Sequence, residues 1–143
     1  MTINIFVSGG SFSSPPYKFY LDSNGTQELT NLTLDPNETY LFQRLNNATS
    51  HPFYISDVGY EQTSSNKISL TGDGSASNGI KNDESFLLSF NEGFADSDQL
   101  YFYCTAHSSM ISTFNIGSPQ FQEISSSNNI NSFNLDDLDS IDW

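Results

Sequence analysis

The sequence predicts an all-β domain, and three observations carry that expectation. Phe and Tyr are abundant, at 12 and 7 of 143 residues, and aromatic side chains favour pleated, half-buried strands. Short stretches alternate polar and apolar side chains, the period-2 signature of a strand with one buried face. Clusters of Gly, Asn, Ser and Pro separate these stretches, and long helix-forming runs are missing. Seven or eight strands between residues 1 and 117 fit a two-sheet Greek-key β-sandwich or barrel.

The strands follow in order. Residues 2–8, TINIFVS, set Ile3, Ile5 and Val7 on one face. SGGSFSSPP is a loop, and Pro15 and Pro16 suit an extended edge. Residues 17–22 form a second strand, ended by Ser23-Asn24-Gly25. Residues 27–34 shift apolar parity from Leu29 to Leu32 and Leu34, which predicts a bulge. After the Asp35-Pro36-Asn37 turn, residues 39–45 align Tyr40, Phe42 and Arg44. Residues 51–58 make the next strand, with His51 at its start and in parity with Phe53 and Ile55. Residues 59–84 form a long Gly/Ser/Asn-rich connection with an apolar piece at 67–70. Such a length marks a functional loop or a crossover between sheets. Strands at 85–90, 99–104 and 111–116 complete the domain.

Composition changes after Gly117-Ser118-Pro119. Residues 118–143 are Ser/Asn-rich, then acidic, with no Lys or Arg. This reads as an irregular acidic tail, either a solubilising flexible segment or one that docks on a partner. Leu135, Leu138 and Ile141 would make one apolar stripe in a helix, with Trp143 as an anchor.

Seventeen acids against four bases give a net charge of −13. So acidic a surface is repelled by nucleic acid and by anionic membranes, and attracts a basic protein. No apolar stretch approaches the length of about 20 residues needed to span a bilayer. MTINIFVSGG lacks a basic and then apolar leader, so a cleavable signal is not expected. A mature chain would fit a periplasmic, lumenal or extracellular setting, and otherwise a virion or the cytoplasm.

The scarce chemistry-bearing residues concentrate. The one Cys, Cys104, is followed by His107 and Met110, one of two Met; the other His, His51, lies upstream in SHPFYISD. Thiolate holds the cuprous ion, imidazole tolerates both copper states, and a thioether is a weak, long axial ligand that tunes the potential. Zinc suits this set less, because thioether is not among its usual ligands. A Cys–His hydrolase would need an orienting third group and a nucleophile motif, and neither is evident. The expectation is therefore a binding protein rather than an enzyme.

YFYCTAHSSM followed by a final strand, with an upstream His at a strand start, resembles the cupredoxins. The spacing of Cys104, His107 and Met110 is similar to the short ligand loop of the amicyanin branch; many plastocyanins have a longer His-to-Met gap. The resemblance covers residues 1–116 by architecture, with its specific motifs at the ligand loop and His51. It implies a single type 1 blue copper per chain, with His51, Cys104 and His107 as strong equatorial ligands and Met110 axial. It also implies one-electron transfer with a basic redox protein such as a cytochrome or an oxidase. His107 would be the exposed electron port, with Ile111, Phe53 and the Pro15-Pro16 loop as apolar docking residues. Three positions depart from the family: Pro52 stands where Asn usually follows the first His, and Ala106 and Ser108 replace prolines flanking the second. Thr105 keeps a hydroxyl that can support the ligands. HPFYIS and YCTAHSSM also resemble cupredoxin-like modules of larger bacterial or phage structural proteins. The alternative is thus a structural or binding module, viral or extracellular, whose tail attaches to a larger assembly. Copper sequestration or delivery is a third reading.

Overall fold

A computed structural model describes residues 1–118 and 123–124. The first strands are β1 (Thr2–Val7), β2 (Phe19–Tyr20), β3 (Leu29–Thr30), β4 (Thr33–Leu34), β5 (Thr39–Arg44) and β6 (Phe53–Ser56). They are followed by β7 (Ile68–Gly72), β8 (Ser85–Phe90), β9 (Tyr101–Cys104), β10 (His107–Thr113), β11 (Asn115–Ile116) and β12 (Glu123–Ile124). Among the described residues the only helical piece is a 3-10 turn at Leu45–Asn47.

Two layers form an all-β sandwich rather than a closed barrel. The larger sheet has the order β2-β1-β5-β8-β7 and the smaller β10-β9-β6. β1 lies parallel to β5 in register Ile5 to Phe42, and β6 lies antiparallel to β9. Neighbours so distant in sequence require the crossovers expected of a Greek-key arrangement.

The core is the aromatic seam between the layers. Ile5, Val7, Tyr40, Phe42, Phe86 and Leu88 are buried on the larger sheet, and Phe53, Ile55 and Phe102 on the smaller. Phe42 reaches Phe53 at 5.7 Å between ring centroids, and Phe53 stacks on Phe86 at 6.2 Å and 10°. Alternation along β5 buries Tyr40, Phe42 and Arg44, the face its sequence sets.

Several elements differ from the expectation. The segment 27–34 is not one bulged strand. Asn31 takes φ 56° and breaks it, so β3 pairs with β12 while β4 pairs parallel with β11. The parity shift is therefore a change of partner. All four residues of β6 are buried, because the 59–84 connection folds over its second face. That connection is a crossover: it leaves the smaller sheet and delivers β7 to the edge of the larger one. The segment 111–116 begins earlier, at His107, and divides into β10 and β11 around buried Phe114. Beyond residue 117, β12 pairs antiparallel with β3. The apolar stripe at Leu135, Leu138 and Ile141, and Trp143, lie outside the described residues. No helix among the described residues is long and apolar enough to cross a membrane.

Candidate metal centre

The register of the smaller sheet assembles the site. β9 is its central strand, and Cys104 ends β9 opposite Phe53 on one side and His107 on the other. His51 lies two residues before Phe53. The thiol is therefore flanked by both imidazoles as a consequence of strand pairing.

The geometry is tight. Cys104 Sγ lies 3.6 Å from His107 Nδ1 and 3.8 Å from His51 Nδ1. One ligand atom from each of the three residues falls within 4.8 Å of the others. Metal–nitrogen bonds of about 2.0–2.1 Å and metal–sulfur bonds of about 2.3 Å, with angles near the trigonal or tetrahedral values, separate N from S by about 3.6–3.8 Å. The observed separations match that spacing, so the three residues can hold a metal ion.

The rest of the expected set takes particular places. His107 is exposed and His51 half-buried, while Cys104 is completely buried. The short ligand loop is only Thr105 and Ala106, and His107 already opens β10. A register irregularity between His107 and Ile111 accommodates Ser108, Ser109 and buried Met110. A Cβ on Gly10 would meet the Met110 methyl at 3.2 Å and His51 Cβ at 3.1 Å. The structure thus brings Met110 to the His51 side of the cluster. His51 is not the first residue of its strand. It precedes β6 with φ 50°, a left-handed conformation uncommon for any residue but Gly.

Hydrogen bonds around the cluster tie its segments together. Thr105 N–H donates to the Pro52 carbonyl at 3.0 Å, which joins the ligand loop to the His51 segment. Thr105 Oγ1 accepts from Gly79 N–H at 3.0 Å, which ties the ligand loop to the 59–84 connection. Ala106 N–H donates to Cys104 Sγ at 3.3 Å, which fixes the sulfur against the ligand loop. Tyr60 donates to the Cys104 carbonyl at 2.8 Å.

Burial holds the His51 ring below its ordinary pKa of 6.5, and charge on His107 and then on Arg44 pushes the same way. Burial likewise lowers Arg44 and raises Tyr17, and Cys104 raises Tyr17 further. A neutral His51 ring is the form that ligates metal.

Sequence reasoning missed Phe12, which is 68% exposed. Its ring packs edge-on against His107 at 4.9 Å and His51 at 5.4 Å, capping both imidazoles. The sequence draws attention only to Pro15 and Pro16 in the loop SGGSFSSPP, and the lone bulky aromatic among its small residues was the signal for Phe12. Of the expected docking residues, Phe53 is corrected: it is fully buried in the aromatic seam and faces no partner. Ile111 is half-buried and Pro15 exposed, whereas Pro16 is buried.

No family model matches the chain, and neither a curated protein nor a solved structure matches it.

Proposed function

We propose that the chain is a cupredoxin-like protein that binds one copper ion at a type 1 centre and serves as a one-electron carrier. His51, Cys104 and His107 would be the strong ligands and Met110 the weak axial one. The observation that carries this reading is the spacing of one thiol and two imidazoles at metal-binding distance on a strand-fixed frame. A thioether beside such a set suits copper better than zinc. Copper held by these donors supplies a single reversible electron.

The chain's own residues do the remainder. β9 and the Ala106 amide hold the Cys104 sulfur, and the Thr105–Pro52 bond keeps the ligand loop against the His51 segment. Burial of Cys104 and Met110 keeps water from the sulfur side. His107 reaches solvent beside Phe12, where a partner would approach. The net charge of −13 would steer a basic redox protein there.

The test is a Cu(II) titration of the purified full chain, followed by visible absorption and EPR, beside Cys104→Ala. The expected result is an intense blue thiolate-to-copper band that saturates at one copper per chain and is absent from the variant. A colourless titration would sink the carrier reading and favour a module of a larger assembly.

A further inference from the structure

Two buried polar side chains grip the segment that carries His51, and metal ligation uses neither. His51 precedes Pro52, and a following proline drives a residue toward extended conformations with negative φ. His51 nevertheless has φ 50°. Such a conformation persists only where its surroundings over-determine it.

The surroundings do so residue by residue. Arg44 Nη2 donates to the Ser50 carbonyl at 3.0 Å and to the Ser8 carbonyl at 2.8 Å. Tyr17 donates its hydroxyl to the His51 carbonyl at 2.6 Å and lies 3.4 Å from the Pro52 carbonyl. Arg44 Nη1 donates to the Ile80 carbonyl at 2.9 Å, and Ile80 exchanges both backbone bonds with Phe53. Residues 50–53 are thus held consecutively, with the Arg44 guanidinium 5.8 Å from the Tyr17 ring centroid.

Arg44 is only 3% exposed and forms no ion pair among the described residues. A buried guanidinium bonded to carbonyls alone adds little to a core that an apolar residue would fill more cheaply. What it adds is placement of three distant carbonyls.

We infer that Tyr17 and Arg44 form a brace that locks His51 in the left-handed conformation and aims its Nδ1 at Cys104 before any metal arrives. The purpose of the brace rests on the proposed metal reading, but the brace itself belongs to the metal-free protein. Both are positioning residues: they supply no ligand atom and hydrogen-bond the backbone of the ligand segment, and the Tyr17 hydroxyl also lies beside the Cys104 thiol.

The experiment compares wild type, Tyr17→Phe and Arg44→Lys as isotope-labelled full chains. Tyr17→Phe deletes one hydroxyl and keeps the ring; Arg44→Lys keeps the charge and loses the fork. In the metal-free state, NMR relaxation dispersion at the His51 amide reports exchange out of the locked conformation. Copper affinity is then measured for each chain. The expected result is new dispersion at His51 in both variants and a copper affinity at least tenfold weaker. If Arg44→Lys does not fold, Tyr17→Phe alone decides. A His51 amide as rigid as wild type, with affinity within twofold, would overturn the brace even if thermal stability fell. Loosening of His51 in a protein whose wild type binds no copper would uphold the brace and sink the metal reading.

Discussion

Phe12 shows how much of a site can depend on one side chain that strand patterning does not flag. Its ring is mostly in solvent, so Phe12→Ala is expected to change stability by less than about 0.5 kcal/mol. The same change uncovers both imidazoles beside the thiol. Iodoacetamide is expected to alkylate Cys104 of the metal-free variant several-fold faster than wild type; an unchanged rate would mean that the ring shields nothing. His51 makes a second residue-scale prediction. Its folded-state pKa is depressed, so above pH 6.5 the ring is neutral in folded and unfolded chains alike. As pH falls below 6.5, the unfolded chain takes up a proton that the folded chain resists. The metal-free protein should therefore lose stability over that window in denaturant melts, and His51→Gln should remove that part of the loss. Asp22, held down first by the Thr26 hydroxyl, and Asp98, held down first by the Ala95 amide, act separately, below the ordinary carboxylate value of 3.8. Cys104 and His107 were legible in the sequence because scarce residue types stand at ligand spacing, and His51 because it is the one other histidine. Tyr17 and Arg44 were not, because a tyrosine and an arginine in strand parity carry no local sign that their polar ends meet over one distant backbone segment.

Among the elements, the loop between β1 and β2 is the one that the sequence undervalued. Only its prolines carried an expected docking role, yet it supplies Phe12 to the rim of the site and Gly10 to its wall. Gly10 has φ 87°, and a Cβ there would lie 2.8 Å from Tyr17 Cε1, besides its approach to His51 and Met110. Gly10→Ala must accommodate both strain and overlap, at about 1–3 kcal/mol. The denaturation midpoint should fall with the denaturant slope unchanged. Copper affinity should fall with it, since the displaced atoms belong to two proposed ligands. A variant as stable as wild type would mean that the loop is free to move aside. β1 and β5 were legible because alternation continues for six residues with one face in the core, and β8 because its short apolar run lies between turn-rich segments. β3 and β4 were not, because two-residue strands carry no period and the left-handed Asn31 separates their partners.

At the scale of the molecule, charge and topology set different properties. If the chain is the proposed electron carrier, its net charge of −13 draws a cationic redox protein by long-range attraction, which salt screens over about 10 Å at 0.1 M. The bimolecular electron-exchange rate of the copper-loaded chain is expected to fall at least ~10-fold between low salt and 0.3 M. A salt-independent rate would remove surface charge from recognition. Fold class was legible from composition and turn spacing, whereas the arrangement of the sheets depends on pairings such as β1 with β5 that no local pattern encodes. The pairing of β6 with β9 has a further consequence, in time rather than space. Cys104 and His107 meet across a tight hairpin, but His51 joins them only after the 59–84 crossover has brought residues 53 apart in sequence into contact. Strand pairing across such a span is slow compared with local pairing, because the chain entropy is lost before the contacts form. Assembly of the three donors is therefore expected late in folding. A nascent chain released only as far as β8 would lack the thiol altogether, and uptake of metal would report the completion of the long-range fold.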